Sequence, residues 1–225
     1  MNLAQFILTK LLPLKQKFIY ASILFNGLGM LLVAITAVVP EGRMYWRELG
    51  LLAGKLAILV LGVTLVPGIF KRFQVKGVLA AVQVLLMSVR RALGLMVYFL
   101  TVGHLLWVRI LPRLYYNLSL SSFTNYEIIG LIALILLTPM ALSSNDPSMR
   151  MLGKNWKKIH SAVYVIIWLI FLHVLLMEGS LKFTVLAGLF GVLEILSWIY
   201  YYKNRPKSTI TTPVESTTSE VIQQN

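Results

Sequence analysis

The sequence predicts an all-α fold class: a polytopic membrane helical bundle of six transmembrane helices, with both termini in the cytosol. Composition, long apolar stretches and the placement of basic residues predict it. Apolar residues make up 58% of the 225 residues, charged residues make up 13%, and the mean hydropathy is +0.78. Soluble domains average about 45–50% apolar and about 25% charged residues, so a water-soluble globule is excluded. The absence of cysteine excludes thiol catalysis and cysteine-ligated zinc or iron–sulfur sites.

A membrane-spanning helix needs about 20 mostly apolar residues, and six stretches approach or reach that length. They are Phe18–Val39, Leu49–Val66, Leu93–Leu111, Glu127–Leu142, Ile159–Met177 and Leu181–Tyr202. Helix-breaking residues are expected to mark several ends, at Pro40, Pro67, Pro112 and the Gly179-Ser180 turn. The apolar run Val78–Met87 is too short to span, and predicts either an interfacial helix or a cytosolic extension of the third span.

Basic residues predict the orientation, because cytosolic loops of membrane proteins carry an excess of Lys and Arg. Fifteen of the 21 Lys and Arg residues fall in the N-terminal segment, the second-to-third and fourth-to-fifth connections, and the tail, which share one side. That side is therefore expected to be cytosolic. The net charge of +13 is explained by this topology and by lipid contact, and nucleic acid is not expected as a partner.

Three segments follow from this division of the chain. We expect a cytosolic N-terminal segment at 1–17, a transmembrane domain at 18–207 and a disordered cytosolic tail at 208–225, which is rich in Ser, Thr and Gln.

All three histidines of the chain, His104, His160 and His173, fall in or at the edge of two spans. A single intramembrane histidine is often satisfied by an interhelical hydrogen bond. Three on two helices favour metal ligation instead, because neutral imidazole is an axial ligand of haem iron and a bundle core accommodates such a cofactor.

Helix geometry predicts which histidines can pair. His104 lies about 17 Å along the third span from Leu93, and His173 lies about 21 Å along the fifth span from Ile159, at 1.5 Å per residue. The two spans run in the same direction, so these side chains are expected at similar depth, facing each other. His160 lies at the cytosolic edge, 13 residues before His173. An ideal helix would turn the two about 140° apart, so either distortion aligns them or they serve different surfaces.

The arrangement of these residues resembles the ferric reductase-like transmembrane domain, and within it the haem-binding membrane subunit of the periplasmic protein-methionine-sulfoxide reductase system. The resemblance covers about residues 45–180. It rests on Arg91-x-x-Gly94, His104, Gly130, Ser143-Ser144, Leu152, Trp156-Lys157-Lys158-Ile159-His160, Tyr164 and His173.

The resemblance implies a cytochrome b-type electron-transfer subunit in the bacterial inner membrane. His104, His173 and His160 match haem-linked histidines, and one or two haem b groups are implied. In the wider superfamily each of two helices carries two histidines, but the position 13 residues before His104 is Arg91. An inner haem would therefore lack one conventional ligand, as in the sulfoxide reductase subunit. Arg90 and Arg91 are suited to bind haem propionates, and are equally well explained as membrane anchors.

The electron donor and acceptor are implied only by this resemblance. No G-x-G-x-x-G motif follows a strand-like run, so electrons are expected from quinone or from a separate cytosolic flavin reductase. FMN stays open as a further cofactor. The expected acceptor is an extracytoplasmic reductase subunit that repairs methionine sulfoxide.

Other functions stay open at this point. A membrane oxidoreductase that reduces ferric or other metal ions belongs to the same class. A proton or ion transporter would use His104, His173 and Glu194 as an intramembrane relay. A structural scaffold without a cofactor would leave the depths of the histidines unexplained.

Overall fold

A computed structural model describes residues 2–177 and 181–204, and all regular structure in these ranges is helical. Six helical segments there are long and apolar enough to cross a membrane. The α-helices are α1 Leu3–Phe6, α2 Lys15–Val38, α3 Trp46–Arg72, α4 Val78–Leu105, α5 Leu111–Tyr115, α6 Asn125–Leu142, α7 Asp146–Leu152, α8 Lys154–His160, α9 Val163–Leu176 and α10 Leu181–Lys203. The expected turn at Gly179-Ser180 and the tail at 208–225 lie outside the described residues.

The first span begins earlier than the apolar pattern predicts. A π-helical turn at Ile7–Leu11 and a 3₁₀ turn at Leu12–Leu14 join α1 to α2, so the helical segment reaches back to Leu3. Ile7 is buried, and its turn packs against α4. The predicted end at Pro40 is confirmed, because α2 stops at Val38 and a 3₁₀ turn begins at Pro40.

Two other prolines do not end their spans, and those predictions are wrong. Pro67 lies inside α3, which continues to Arg72. Membrane helices tolerate proline because neighbouring groups satisfy the freed backbone, and Pro67 is fully buried against other helices. The third span passes through a π-helical turn at Leu106–Ile110 and into α5, where Pro112 occupies the first turn and needs no helical N–H partner.

The apolar run at Val78–Met87 is the extension of the third span rather than a separate interfacial helix. It forms the first turns of α4, which is continuous from Val78 to Leu105. Gly77 precedes this helix with a φ of 62°, a left-handed conformation that glycine adopts at little cost.

Five long helices form a closed ring: α3 packs on α4, α4 on α6, α6 on α9, α9 on α10, and α10 returns to α3. Helix α2 lies outside the ring, against α4. A hydrophobic core fills one half of the ring, and its buried members are Leu61, Leu65, Ile69, Val97, Ala133, Leu137, Val163, Ile166 and Ile167. The other half of the ring contains a cavity.

Local signals position the helices around this cavity. The Thr124 side chain and the Glu127 side chain form a capping box at the start of α6. This places the first turn of α6, with Tyr126 and Glu127, in the lining of the cavity. The fifth span is divided into α8 and α9 by a turn at 161–162. This break lies between His160 and His173 and changes their relative orientation.

A buried ion pair joins α3 to α10. Arg72, expected in a charged loop, lies instead in the last turn of α3 and pairs with Glu194. Arg72 Nε also donates to Ser197 Oγ at 2.7 Å, and its guanidinium lies 4.6 Å from the centroid of the Trp198 ring. The side chains of Arg72 and Glu194 are 8% and 4% exposed, so this basic residue stabilises a helix contact rather than marking a loop.

Candidate functional site

His104 and His173 face each other across the cavity. Their ring centroids are 6.3 Å apart and their ring planes are nearly perpendicular, at 89°. A metal–imidazole nitrogen bond of about 2.0–2.1 Å and ring bonds of about 1.33 Å place two imidazoles on opposite sides of one metal with centroids about 6.3–6.4 Å apart. The observed separation fits a pair of axial ligands to a single metal ion.

Each histidine is oriented by a helix carbonyl. His104 Nδ1 lies 2.8 Å from the Gly50 carbonyl oxygen on α3, and His173 Nδ1 lies 2.7 Å from the Tyr126 carbonyl oxygen on α6. A carbonyl only accepts hydrogen bonds, so each Nδ1 carries the proton and donates. The Nε2 atoms make no hydrogen bond to the described residues, and their lone pairs are available to a metal, as in other histidine sites.

Two glycines make room for the rings. Gly54 lies four residues after Gly50, and Gly130 lies four residues after Tyr126, so each glycine is one helical turn beyond the carbonyl that holds the ring. A Cβ atom at Gly54 would lie 2.9 Å from His104 Nδ1, and one at Gly130 would lie 2.8 Å from His173 Nδ1. Such contacts are too short, so both rings pack directly against helix backbone. Each ring therefore packs against one carbonyl and one glycine of a neighbouring helix, His104 against α3 and His173 against α6.

The cavity has a volume of about 630 Å³ and is lined mainly by apolar side chains of α3, α4, α6 and α9. Cofactor sites commonly span about 300–1,000 Å³ and combine apolar walls with a few polar groups. Here the polar groups that line it include Arg47, Lys55, Arg109 and Glu127. Two imidazoles, an apolar cleft and cationic groups near it suit a flat metal macrocycle that carries carboxylates.

A buried ion pair holds the loop that follows α5 against this cavity. Arg109 pairs with Glu127, and its Nη2 donates to the carbonyls of Leu120 and Ser122 at 3.1 and 2.8 Å. Its guanidinium lies 3.8 Å from the centroid of the Phe123 ring, and Phe123 also lines the cavity. Arg109 thus helps to fix this loop at the wall of the cavity.

His160 lies apart from the other two histidines and does not line the cavity. Its ring stacks on Trp156 with centroids 4.0 Å apart, and its Nε2 lies 3.2 Å from Ser143 Oγ. Of the two alternatives left open by helix geometry, the structure shows that His160 and His173 serve different surfaces. The guanidinium groups of Arg90 and Arg91 lie within electrostatic range of His160, and Arg91 Nη1 donates to Asp146 Oδ1 at 2.6 Å.

The sequence predicts the facing pair of His104 and His173 but not the groups that position their rings. Gly50 and Gly54 form a Gly-x-x-x-Gly pattern, which marks close helix contacts in membranes and was the available signal. Nothing in the pattern distinguishes the carbonyls of Gly50 and Tyr126 from others on their helices. Within the described residues, no group of three or more His, Asp or Glu side chains is arranged to hold a bare metal ion.

Comparison with known proteins gives evidence for the family of this chain. The model of the ferric reductase-like transmembrane component matches residues 52–172, more than half of the chain, including His104 and His160 and ending one residue before His173. No solved structure matches significantly.

Curated relatives are bacterial proteins named protein-methionine-sulfoxide reductase heme-binding subunit MsrQ. The one from Agrobacterium fabrum is 35% identical over 127 residues, which cover 54% of this chain and 56% of that protein. The one from Brucella anthropi is 37% identical over 84 residues, and the one from Brucella ovis is 36% identical over 88 residues, covering 37% and 39% of those proteins. The chain thus matches about half or less of the length of these relatives.

Six apolar helices and bacterial relatives in a transmembrane family indicate a multi-pass protein of the bacterial inner membrane, as the sequence predicts. Because this family model matches more than half of its residues, the chain belongs to the ferric reductase-like transmembrane component family.

Proposed function

We propose that this protein is a haem-binding electron-transfer subunit of the membrane. The facing pair of His104 and His173 carries this proposal, because their 6.3 Å separation and their two free Nε2 atoms suit one six-coordinate iron. The names of the curated relatives support it, since those proteins are heme-binding subunits.

The chain's own residues would bind and tune the cofactor. His104 and His173 would hold the haem iron through their Nε2 atoms, and the carbonyls of Gly50 and Tyr126 accept the Nδ1 hydrogen bonds, which fixes the tautomer and increases the basicity of each imidazole. The apolar walls exclude water, while Arg47 and Lys55 are placed to neutralise propionate groups. When bound, haem supplies one-electron redox chemistry, which the protein positions and tunes.

The donor and acceptor belong to the same proposal. Electrons would come from quinone or from a cytosolic flavin reductase, cross the bilayer and leave to an extracytoplasmic reductase subunit that acts on methionine sulfoxide. Support for the acceptor is the name of the relatives, which are subunits of a protein-methionine-sulfoxide reductase. His160, Arg90 and Arg91 would form a second, weaker site at the cytosolic edge, suited to an inner haem or to the phosphate of FMN.

A difference spectrum tests the proposal. Purified protein, reduced with dithionite, is expected to show sharp b-type bands, with at least one haem for each chain by pyridine haemochrome titration. Protein that folds and contains no haem after expression with added haem precursor would contradict it.

The family itself favours a second candidate, the reduction of ferric or other metal ions. Oxidation of the reduced haem by a ferric chelate, compared with oxidation by a methionine sulfoxide reductase subunit, distinguishes the two. The transporter alternative has less support, because Glu194 pairs with Arg72 and does not line the cavity that holds His104 and His173.

A further inference from the structure

A second cavity lies on the other side of the α3–α4 pair, where α2 covers it. Its volume is about 290 Å³, and its walls are almost entirely apolar. The aromatic rings of Phe25, Phe99 and Trp107 contribute to its lining. Trp107 Nε1 donates to Thr36 Oγ1 at 2.9 Å, so this ring is held in place on the cavity wall.

One polar side chain in this lining has no partner. Asn26 is 8% exposed, and neither end of its amide hydrogen-bonds to a described residue. Its Oδ1 is buried without a partner, and burial of an unpaired amide costs free energy in any apolar surrounding. An amide in this position favours a ligand that carries an oxygen able to hydrogen-bond with it.

The cavity opens toward lipid rather than toward water. Three of its lining residues, Phe25, Leu28 and Leu52, are exposed on the outside of the bundle, at 42%, 55% and 52%. They belong to membrane-spanning segments, so this surface faces the hydrocarbon region. A ligand that enters here must be soluble in the bilayer.

The second cavity also adjoins the histidine site. Ala53 and Gly103 line it, while their sequence neighbours Gly54 and His104 line the histidine cavity. Only the α3–α4 layer separates the two cavities, and a helix with its side chains is about 10–12 Å across. This is a short separation for electron transfer.

We propose that this second cavity binds a membrane quinol, with the Asn26 amide hydrogen-bonded to a ring oxygen and the aromatic side chains against the ring. This inference rests on the proposed function and gives a binding site to quinone, the first of its two donors. An acyl chain would fill the apolar cavity equally well but has no group that can hydrogen-bond with the Asn26 amide. Oxidation of the quinol breaks two O–H bonds, releases two protons and gives two electrons, which a haem held by His104 and His173 would take up singly.

Two variants and a matched control test the site. A Cβ atom at Gly29, which lines the cavity, meets nothing within 4 Å, so Gly29→Leu fills the space without a backbone clash. Gly27 lies on the same helix, has the same free space at its Cβ and does not line the cavity, so Gly27→Leu is the control. Asn26→Leu removes the amide and keeps the approximate volume.

Binding is measured with decylbenzoquinone by quenching of tryptophan fluorescence, and function by the rate at which the corresponding quinol reduces the haem. We expect Gly29→Leu to weaken binding by more than about tenfold and Asn26→Leu by about fivefold, with matching losses in the reduction rate. Gly27→Leu should behave as the wild type. Dithionite should reduce the haem fully in all four proteins.

Equal quinone binding by Gly29→Leu and Gly27→Leu would overturn the proposal. So would a glycerolipid that stays bound by native mass spectrometry when quinone is in excess. Absence of haem bands in the dithionite-reduced wild type would instead contradict the proposed function. Quinone binding could still be measured by fluorescence in that case.

Discussion

The imidazoles of His104 and His173 show how a single hydrogen bond defines a site. Once Nδ1 donates to a helix carbonyl, only Nε2 can bind a metal, and the ring cannot turn without losing a hydrogen bond inside the membrane. Both carbonyls also belong to helix backbone, which is among the most rigid parts of the fold. The positions of the two rings are therefore set by α3 and α6 as much as by the helices that carry the histidines.

His104→Ala and His173→Ala are each expected to abolish the low-spin haem spectrum, because each removes one of the two proposed haem ligands. Absorption and electron paramagnetic resonance spectra of the purified variants measure this. His160→Ala is the control: it should leave that spectrum unchanged and slow the reduction of the haem from a cytosolic donor. A full complement of haem with an unchanged spectrum in either of the first two variants would show that the pairing is wrong.

Gly54→Ala and Gly130→Ala are expected to weaken haem binding although neither residue is a ligand. The added methyl group would lie 2.9 or 2.8 Å from the histidine ring and would push it from its carbonyl. Gly94→Ala is the matched control, since a Cβ atom there meets nothing within 4 Å. In an otherwise free helix position this change stabilises by about 0.5–1 kcal/mol, so a general loss of stability is not the expected cause. Haem content after dialysis against apomyoglobin would be compared, and equal retention in all three variants would refute the role of the two glycines.

Among the helices, the pair of Arg72 and Glu194 makes the contact between α3 and α10 depend on charge. Ser197 and Trp198 extend it, because Arg72 donates to Ser197 Oγ and Trp198 Nε1 donates to Glu194 Oε1 at 3.1 Å. An isolated charge within a membrane costs free energy, so Arg72 and Glu194 each offset the cost of burying the other.

Arg72→Met and Glu194→Gln are each expected to destabilise the protein by about 3–5 kcal/mol, because each leaves a buried group without its partner. The double variant with Arg72→Met and Glu194→Gln should lose less than the sum of the two single changes. Thermal unfolding in detergent, followed by circular dichroism, measures both. Additive losses would mean that the two side chains stabilise the bundle independently.

A second ion pair ties α4 to α7 at the surface. The hydrogen bond and charge of Arg91 lower the pKa of the exposed Asp146 carboxyl from its ordinary value. The pair therefore stabilises the folded protein above the ordinary pKa of Asp, about 3.9, and this contribution disappears as the pH falls through the lowered pKa.

Asp146→Asn is expected to have a slightly lower midpoint of thermal unfolding than the wild type at pH 7, and the difference should vanish at a pH below the lowered pKa. High salt should also reduce the difference in unfolding midpoint at pH 7, because exposed charges are screened. A difference that persists in acid would indicate a neutral hydrogen bond rather than an ion pair.

At the scale of the whole molecule, the ring of five helices divides the interior into a packed half and an open half. Side chains of Leu, Ile and Val fill the first, and the histidine cavity occupies the second. Each of the five helices contacts two others of the ring, whereas α2 packs on the outside of the ring, against α4 and against Trp46 of α3, and leaves a cavity beneath.

The orientation of this bundle can be tested directly, because the chain has no cysteine. Single reporters at Lys10→Cys, Asn204→Cys and Ser121→Cys place a thiol at exposed positions on the two predicted sides. We expect an impermeant maleimide to label Ser121→Cys in intact spheroplasts and the other two only after permeabilisation. The opposite pattern would reverse the predicted topology.

The sequence by itself determined the number of spans and the two histidines that face each other. Long apolar runs have no stable alternative to membrane helices, and the depth of a residue follows from its position in a helix. Local patterns are less informative for helix ends: Pro67 and Pro112 predict ends, but Pro67 lies inside α3 and Pro112 lies in the first turn of α5, where no helical N–H partner is needed.

Only the tertiary structure decided which groups meet. The carbonyls of Gly50 and Tyr126, the pair of Arg72 and Glu194 and the amide of Asn26 acquire their roles from helices distant in the sequence. Helix packing determines these contacts, because a rotation of one helix by a single residue, about 100°, would turn each group toward a different neighbour.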